Sequence, residues 1–217
     1  MGLSERPKQY AELAGRTLLE WALAPLLAHS AIERVVVVLA LQDSHWRESP
    51  LALDPRVSRA IGGAERADSV KAGLSALARD AHADDWVLVH DAARPCLTAH
   101  DVGHLIDALA DDEVGGLLAT PVVDTLKRAD DQGFVAETVP RAGLWRALTP
   151  QMFRYGVLER ALSAAAEQGI AVTDEAQAVE LLGLRAKLVE GNGDNLKITT
   201  PPDLERAARI LAARGHS

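Results

Sequence analysis

The stretch VVVVLAL at residues 35–41 decides the fold class, because an unbroken run rich in β-branched residues is typical of a strand buried on both faces of a sheet. Before it, residues 17–29 carry leucines and alanines at helical spacing. Beyond it, the alternation continues with helices predicted at about residues 69–79 and 101–110 and strands at 86–90 and 116–121. Alternating strands and helices are the pattern of a parallel sheet with right-handed crossovers. The first half of the chain therefore predicts an α/β fold with a mostly parallel sheet.

The pattern changes after residue 121, where two short extended segments replace the alternation. Residues 123–128 and 134–139 flank the turn-forming residues 130–133, an arrangement that predicts a β-hairpin. Further helices are predicted at residues 155–167, 173–182 and 201–214, with a strand at about residues 186–189. Because no repeat, linker or low-complexity tract interrupts the sequence, we predict one domain, residues 1–217, with a projecting β-arm at residues 122–142.

Composition narrows the class of protein. The 217 residues include 23 basic and 31 acidic side chains, which give a formal charge of −8, and only 4% are aromatic. That balance argues against duplex binding, which needs a basic surface, and against base stacking on aromatic side chains. The longest apolar run, residues 35–41, is too short to cross a bilayer, and residues 1–10 hold no secretory signal. Cys96 is the one cysteine, so no internal disulfide can form. Together, these features lead us to expect a cytoplasmic protein that binds neither nucleic acid nor membrane.

The first candidate for a functional site is HDAARP at residues 90–95, directly after the predicted strand WVLVH. Open parallel sheets bind ligands at the carboxyl ends of their strands, so Asp91 is expected to point into that crevice. Arg94 offers two parallel N–H donors to an anion. The alternative is a structural Asp–Arg pair that closes the loop.

The second candidate is GGAERADSV at residues 62–70. Paired glycines allow a backbone to approach a ligand closely. Ser69, together with the free amides of the helix that follows, offers donors to a base edge or to an anion. A plain Gly-Gly turn before a helix is the alternative.

Weaker signals come from isolated polar residues. Lys8 in PKQY and Lys197 in DNLKITTPPDL could each hold a phosphate, although a solvated lysine and an edge-strand lysine are the alternatives. In TDEAQ, Thr173 is interpreted as a helix cap with acids in the first turn, a purely structural role. HDVGH at residues 100–104 mimics a zinc-protease motif, but Asp101 stands in place of glutamate and no third ligand is evident. We therefore predict no metal site built from protein side chains.

Eight motifs taken together resemble one known family. In chain order they are PKQY, GGAERADSV, WVLVHDAARPCL, PVVDTLKR, ALTPQMF, TDEAQ, LVEGNGDNLKIT and PPDL. They resemble the 2-C-methyl-D-erythritol 4-phosphate cytidylyltransferases of non-mevalonate isoprenoid synthesis, and the match runs from residue 1 to about residue 209. The resemblance implies a Rossmann-like nucleotidyltransferase fold and a homodimer formed through the β-arm. It also implies transfer of a cytidylyl group from CTP to the sugar-alcohol phosphate, with Mg²⁺ held mainly by the CTP phosphates.

The resemblance also implies roles for individual residues. Catalytic roles fall on three cationic side chains, Lys8, Arg141 and Lys197. Substrate-binding roles fall on seven residues: Gly63, Ala64, Ser69, Asp91, Arg94, Thr125 and Thr173. Because Thr125 and Arg141 lie on the arm, the resemblance implies that they act in the site of the partner subunit.

Three departures from the family pattern are visible. Ala64 and Pro140 stand at positions where family members often carry aspartate. Family members also have a buried strand and a loop of the form P-A-A-G-x-G-x-R just before the segment that matches Met1. Without them we expect an unpaired slot in the sheet. An upstream start is the explanation we favour, over a shortened chain and over a protein that has lost catalysis.

Two other functions stay open at this point. A pentitol-phosphate cytidylyltransferase would use the same scaffold with a different acceptor. A non-catalytic, dimeric nucleotide-binding protein is the alternative if the glycine-rich loop is truly absent.

Overall fold

The computed structural model describes residues 7–215 and shows an α/β protein. Its helices are α1 (Leu18–Leu27), α2 (Arg66–Leu77), α3 (Ala99–Leu109), α4 (Tyr155–Glu167), α5 (Glu175–Leu181) and α6 (Pro201–Ala213). Its strands are β1 (Glu12–Leu13), β2 (Arg16–Thr17), β3 (Val35–Leu39), β4 (Val57–Ile61), β5 (Trp86–Val89), β6 (Gly115–Pro121), β7 (Leu126–Ala129), β8 (Val135–Val139), β9 (Trp145–Arg154) and β10 (Lys187–Glu190). Single turns of 3₁₀ helix occur at Lys8–Tyr10, Trp46–Glu48 and Pro50–Leu53. The sequence predicts that residues 1–10 hold no secretory signal. Of these, residues 1–6 lie outside the described residues.

The main sheet has four strands in the order β10-β6-β9-β5. Strand β10 pairs with β6 in parallel, whereas β9 pairs antiparallel with both β6 and β5, so three of the four strands share one direction. The predicted α/β class with a mostly parallel sheet is confirmed, with β9 as an antiparallel member that the sequence analysis did not predict.

A second, smaller pair of strands stands beside the main sheet. Strands β3 and β4 pair in parallel with each other. A cleft of about 720 Å³ separates β3 from β5, and side chains of α1 and α2 also line it. Within residues 7–215, no strand bridges β3 and β5, which is the arrangement of an unpaired slot.

The main sheet is covered by helices on both faces. Neighbouring residues of a strand point to opposite faces, so Leu117 and Phe153 pack with α4 and α5, whereas Leu118 and Met152 pack with α3. This three-layer arrangement explains why β6 and β9 are buried over several consecutive residues.

Several helices begin where the sequence predicts. Thr17, Thr98 and Thr200 each cap a helix in a reciprocal capping box. Two predicted starts are wrong. Helix α2 begins at Arg66 rather than near residue 69, and the N-cap of α5 is Asp174, whose side chain accepts the Gln177 N–H, rather than Thr173. Aspartate is as good a cap as threonine, so the sequence does not separate the two.

The β-arm is a two-stranded ribbon. Strands β7 and β8 pair antiparallel, and the Asp130 side chain closes the turn by accepting the N–H groups of Gln132 and Phe134. Gly133 takes a positive φ of 85° in that turn, a conformation that favours glycine. Among the residues that the structure describes, these two strands pair only with each other.

Within residues 7–215, none of the helices is both long enough and apolar enough to cross a membrane.

Candidate active site

The centre of the candidate site is the Asp91 carboxylate, which lies just beyond the carboxyl end of β5. Its Oδ1 lies 3.2 Å from Arg66 Nη2, and its Oδ2 lies 2.8 Å from Lys197 Nζ. One acid therefore holds two cations that come from distant parts of the chain. The sequence predicts Asp91 and Lys197 as site residues, and the structure brings them into direct contact.

Arg66 connects this acid to a second one. It is the first residue of α2. Its guanidinium donates two hydrogen bonds to the Glu175 carboxylate, Nη1–Oε1 at 2.5 Å and Nη2–Oε2 at 3.0 Å. Glu175 lies in the first turn of α5 and is only 1% exposed. This two-pronged geometry is the strongest kind of Arg–carboxylate contact.

The charges shift one another's pKa values in opposite directions. Burial would raise the pKa of Asp91, but the hydrogen bond from Lys197 and the charge of Arg66 hold it below its usual value. Burial raises the pKa of the Glu175 carboxyl, and Arg66 opposes that shift. Burial would lower the pKa of the Arg66 guanidinium, but its two acidic partners raise it. The site is thus a set of paired charges with Arg66 permanently cationic.

The Gly62–Gly63 turn packs against the chain itself. A Cβ added to Gly63 would lie 2.3 Å from Cβ of Asp68, and one added to Gly62 would lie 2.7 Å from Oγ of Ser69. Ala64 follows on the exposed side of the turn. The two glycines are therefore needed for the turn to fold back onto α2, a reason that the sequence analysis did not give.

Ser69 is placed differently from the expectation. The sequence analysis places it at the start of a helix, but it is the fourth residue of α2, and its N–H donates to the Glu65 carbonyl. A contact between Ser69 and substrate stays a prediction. Its hydroxyl remains beside the glycine turn.

The two predicted lysines lie near each other. Lys8 Nζ hydrogen-bonds to the Ile198 carbonyl, next to Lys197, and the Ile198 N–H donates to the Ala93 carbonyl at 2.8 Å. Lys197 lies in a segment without strand structure, so the edge-strand alternative does not apply to it. PKQY, HDAARP and DNLKIT, which are far apart in sequence, thus meet at one edge of the molecule.

Arg94 is turned into the protein. It is 9% exposed, and it donates to the carbonyls of Asn195 at 2.7 Å and Ala147 at 3.4 Å. Its Nε is buried without a hydrogen-bond partner among residues 7–215. Arg94 thus ties the Lys197 loop to β9, and contact with substrate stays a prediction.

His90 and Thr149 fix the backbone of Asp91. Thr149 Oγ1 lies 2.9 Å from His90 Nδ1 and accepts the Asp91 N–H at 3.2 Å, while His90 Nε2 lies 3.3 Å from the Arg94 carbonyl. This pattern fits a neutral imidazole that carries its proton on Nε2 and accepts the Thr149 hydroxyl at Nδ1. Burial lowers the pKa of His90 to about 4, which keeps it neutral.

Three predicted site residues lie apart from this cluster. Thr125 and Arg141 are exposed on the arm, where Arg141 donates to the Val123 carbonyl. Thr173 is exposed two residues before Glu175, and both its N–H and its hydroxyl bond Oε1 of Gln177. Their roles in substrate binding and catalysis stay predictions.

The sequence analysis missed Arg66 and Glu175. Both lie inside motifs that it quoted, GGAERADSV and TDEAQ, and the acid was explained there by the helix dipole alone. A dipole explains an exposed acid in a first turn, but it does not explain a buried one.

The side chains do not form a metal site. Residues 7–215 contain no group of three His, Cys, Asp or Glu that could hold a metal ion. Around Asp91 the neighbouring groups are cations, and this donor set suits an anion better than a divalent cation.

Comparison with known proteins identifies the family. The family model of 2-C-methyl-D-erythritol 4-phosphate cytidylyltransferase, IspD, matches residues 2–213. The chain belongs to this family. It is 56% identical to the enzyme of that name from Pseudomonas aeruginosa strain UCBPP-PA14 over 95% of this chain and 88% of the relative. A relative from Pseudomonas putida strain GB-1 is 55% identical over 97% of this chain and 90% of its own length.

Solved structures agree with the family assignment. A crystal structure of a 4-diphosphocytidyl-2C-methyl-D-erythritol synthase superposes with a TM-score of 0.85 at 41% identity, covering 94% of each chain. The IspD enzyme of Francisella tularensis also gives 0.85, at 33% identity over 97% of this chain and 95% of that one. The predicted family, the Rossmann-like nucleotidyltransferase fold and the class of cytidylyl-transferring enzyme are confirmed.

Proposed function

We propose that this chain transfers the cytidylyl group of CTP to 2-C-methyl-D-erythritol 4-phosphate, as the IspD family name describes. An oxygen of the acceptor phosphate attacks the α-phosphorus of CTP, and a new P–O bond forms. The bond from that phosphorus to the β-phosphate breaks, and pyrophosphate leaves with the electron pair. The attacking phosphate oxygen is already an anion, so no general base has to remove a proton.

One observation carries the proposal: Arg66 and Lys197 both pair with Asp91 at the carboxyl end of β5, and Lys8 binds the carbonyl of Ile198, next to Lys197. Two highly charged phosphates repel each other, so the main task of such an enzyme is to neutralise charge and align the reacting groups. Lysines and arginines on a rigid scaffold supply both.

Each side chain has a proposed part in the reaction. Lys197 holds the attacking phosphate, and Asp91 orients its ammonium from the opposite side. Lys8 neutralises the CTP phosphates. The Gly63–Ser69 segment reads the cytosine, with Ala64 contributing its backbone, and Arg94 and Thr173 contact the sugar and the acceptor.

Mg²⁺ is proposed to arrive as a complex with CTP rather than as a resident ion. No protein ligand set fits it among residues 7–215, and the nearest carboxylate, Asp91, already faces two cations. The ion then belongs to the substrate, and this chain's residues surround the charge that remains on the triphosphate.

We also propose a single domain, residues 1–217, that forms a homodimer through the arm at residues 122–142. A two-stranded ribbon is marginally stable alone. This one leaves three large apolar side chains uncovered: Val123, Phe134 and Val135. A partner that covers them would also bring Thr125 and Arg141 to its own site.

The dimer is tested by sedimentation equilibrium of wild type and Phe134→Ser. Each large apolar side chain contributes about 1.5–3 kcal/mol when buried, so this variant should weaken association about tenfold or more. Leu53→Ser is the control, because Leu53 is also a largely exposed apolar side chain but lies far along the chain from the arm. A wild type that stays monomeric at all concentrations would contradict the proposal.

We further propose a cytoplasmic location with neither nucleic acid nor membrane as a partner. The charge of −8 supports both exclusions, because polyanions and anionic lipid surfaces repel an acidic protein.

The reaction is tested by pyrophosphate release with CTP and two acceptors, using the protein purified from its own cells. Methylerythritol phosphate should react and ribitol phosphate should not. Preference for ribitol phosphate would instead support a pentitol-phosphate cytidylyltransferase. CTP binding without turnover on either acceptor would support the non-catalytic alternative.

A further inference from the structure

Glu175 is a buried acid that the reaction described above does not use. Both of its carboxylate oxygens face the Arg66 guanidinium, and its side chain is 1% exposed. A charge removed from water in this way is costly unless it is paired and hydrogen-bonded. Its position therefore needs a reason beyond the favourable dipole of α5.

The place of Glu175 is fixed from both sides by β9. The Gln151 side chain donates to the Asp174 carboxylate at 3.0 Å, and it accepts the Ala176 N–H at 2.9 Å. Gln151 is itself 1% exposed. The residues before and after Glu175 are thus anchored to one buried amide, and the carboxylate has little freedom to move.

Arg66 transmits this fixed position to two parts of the candidate site. It follows the Gly62–Glu65 turn directly, and it also contacts Asp91, which in turn holds Lys197. One chain of contacts thus runs from Glu175 through Arg66 and Asp91 to the lysine ammonium. It crosses four separate segments of the sequence.

We propose that Glu175 is a positioning residue for cytidylyl transfer: by gripping Arg66, it holds Asp91 and Lys197 in the arrangement that the reacting phosphates need. This inference rests on the proposed function. With Glu175 in place, Arg66 offers Asp91 two donors, Nε at 3.3 Å and Nη2 at 3.2 Å, in one fixed geometry. Without it, Arg66 is a mobile cation that competes with Lys197 for Asp91 and turns toward the triphosphate.

The expected kinetic signature follows from that competition. A freed Arg66 still attracts CTP, so KM for CTP changes less than about threefold in Glu175→Gln. The Lys197 ammonium loses its orientation, and misplacement of that kind costs about 100-fold in kcat. A residue that acted only on stability would not separate kcat from KM in this way.

The test compares three variants with wild type at temperatures where melting curves show all of them folded. Glu175→Gln removes the charge, and Glu175→Asp keeps it but shortens the side chain by one methylene. Glu180→Gln is the control, because Glu180 lies on the same helix and is exposed. We expect kcat to fall most in Glu175→Gln, to fall less in Glu175→Asp, and to stay unchanged in Glu180→Gln.

A double-mutant cycle with Lys197→Ala tests the route. If Glu175 acts through Lys197, then Glu175→Gln costs less than about threefold in kcat once the lysine is gone. Equal costs in both backgrounds, or a Glu175→Gln enzyme with wild-type kcat, would overturn the inference.

A readout that does not depend on turnover separates this inference from the proposed function. Amide hydrogen exchange in residues 62–70 should speed up in Glu175→Gln and not in Glu180→Gln, because Arg66 anchors that segment. A wild type without turnover would refute the proposed function alone. Unchanged exchange in Glu175→Gln would refute the positioning role whatever the turnover.

Discussion

Two Arg–Glu ion pairs in this molecule have the same shortest N–O distance, 2.5 Å, but very different surroundings. In the candidate site, Glu175 is 1% exposed beneath Arg66, which is 33% exposed. On the arm, Glu137 is 54% exposed and Arg128 is 66% exposed. From the N–O distance alone, the two pairs would be expected to contribute equally to stability.

Burial decides how much such a pair contributes to stability and how firmly it fixes its two side chains. An exposed pair is screened by water and contributes between nothing and about 1 kcal/mol. A buried pair binds its partners in one geometry, because breaking it leaves a charge without water or counter-ion. The site is therefore held in one geometry within one chain, whereas the arm is an exposed ribbon, and we propose that a partner subunit covers it.

The largest expected effect concerns the candidate site rather than the arm. Lys197→Ala removes the cation assigned to the attacking phosphate, and loss of one such electrostatic contact lowers kcat by about 100- to 1,000-fold. Folding should change little, because this lysine is 46% exposed and its pair with Asp91 is partly screened. Steady-state kinetics and a urea titration measure the two effects.

Lys187→Ala is the matched control for that variant. Lys187 is exposed on β10, and its ammonium donates to the Ala108 carbonyl. It should keep wild-type kcat. Wild-type kinetics in Lys197→Ala would remove Lys197 from the site.

The next expected effect is the loss of stability when each of the two ion pairs is broken. Glu175→Gln should lower the free energy of unfolding by about 3 kcal/mol, the low end for a broken buried pair because Arg66 is partly exposed. Glu137→Gln should lower it by less than about 1 kcal/mol. Urea unfolding of both variants measures the contrast, and equal losses would mean that burial does not set the difference.

A further expected effect is a pH dependence of stability that comes from His90. Burial lowers the pKa of His90 from 6.5 to about 4, so between these values the unfolded chain binds a proton that the folded chain does not. Stability is therefore full above pH 6.5 and falls with pH until about pH 4. From pH 7 to pH 5 the expected loss is about 2 kcal/mol.

Replacing His90 isolates that contribution. His90→Gln keeps a donor but cannot take up a proton, so its stability should fall less than that of wild type over the same range. Urea titrations at pH 7 and pH 5 measure the difference between the two proteins. Identical pH dependence in wild type and His90→Gln would assign the effect to other groups.

Most of the fold can be predicted from local patterns. Threonine caps mark the starts of α1, α3 and α6, and apolar runs mark β3 and β5. Strand β9 escapes prediction because it contains Pro150, a residue that argues against a central strand, and because Gln151, a polar residue, faces the interior to anchor α5. Its polarity is explained only by a partner 25 residues away in sequence.

In the candidate site, too, a residue can be predicted only where it carries a local signal in the sequence. Asp91 was found because its place after a buried strand is a local signal. The contact between Arg66 and Glu175 joins residues 109 positions apart, and neither residue has a local pattern that points to the other. The inward turn of Arg94 likewise depends on carbonyls of distant segments.

The most direct test of the account is a crystal structure of the protein with CTP bound. We predict that the triphosphate lies at the carboxyl end of β5, within reach of the Lys8 and Lys197 ammonium groups, and that the cytosine lies against residues 62–69. Arg66 should keep its grip on Glu175 in that complex. CTP bound away from Asp91, or an Arg66 that has left Glu175 for the phosphates, would contradict the account.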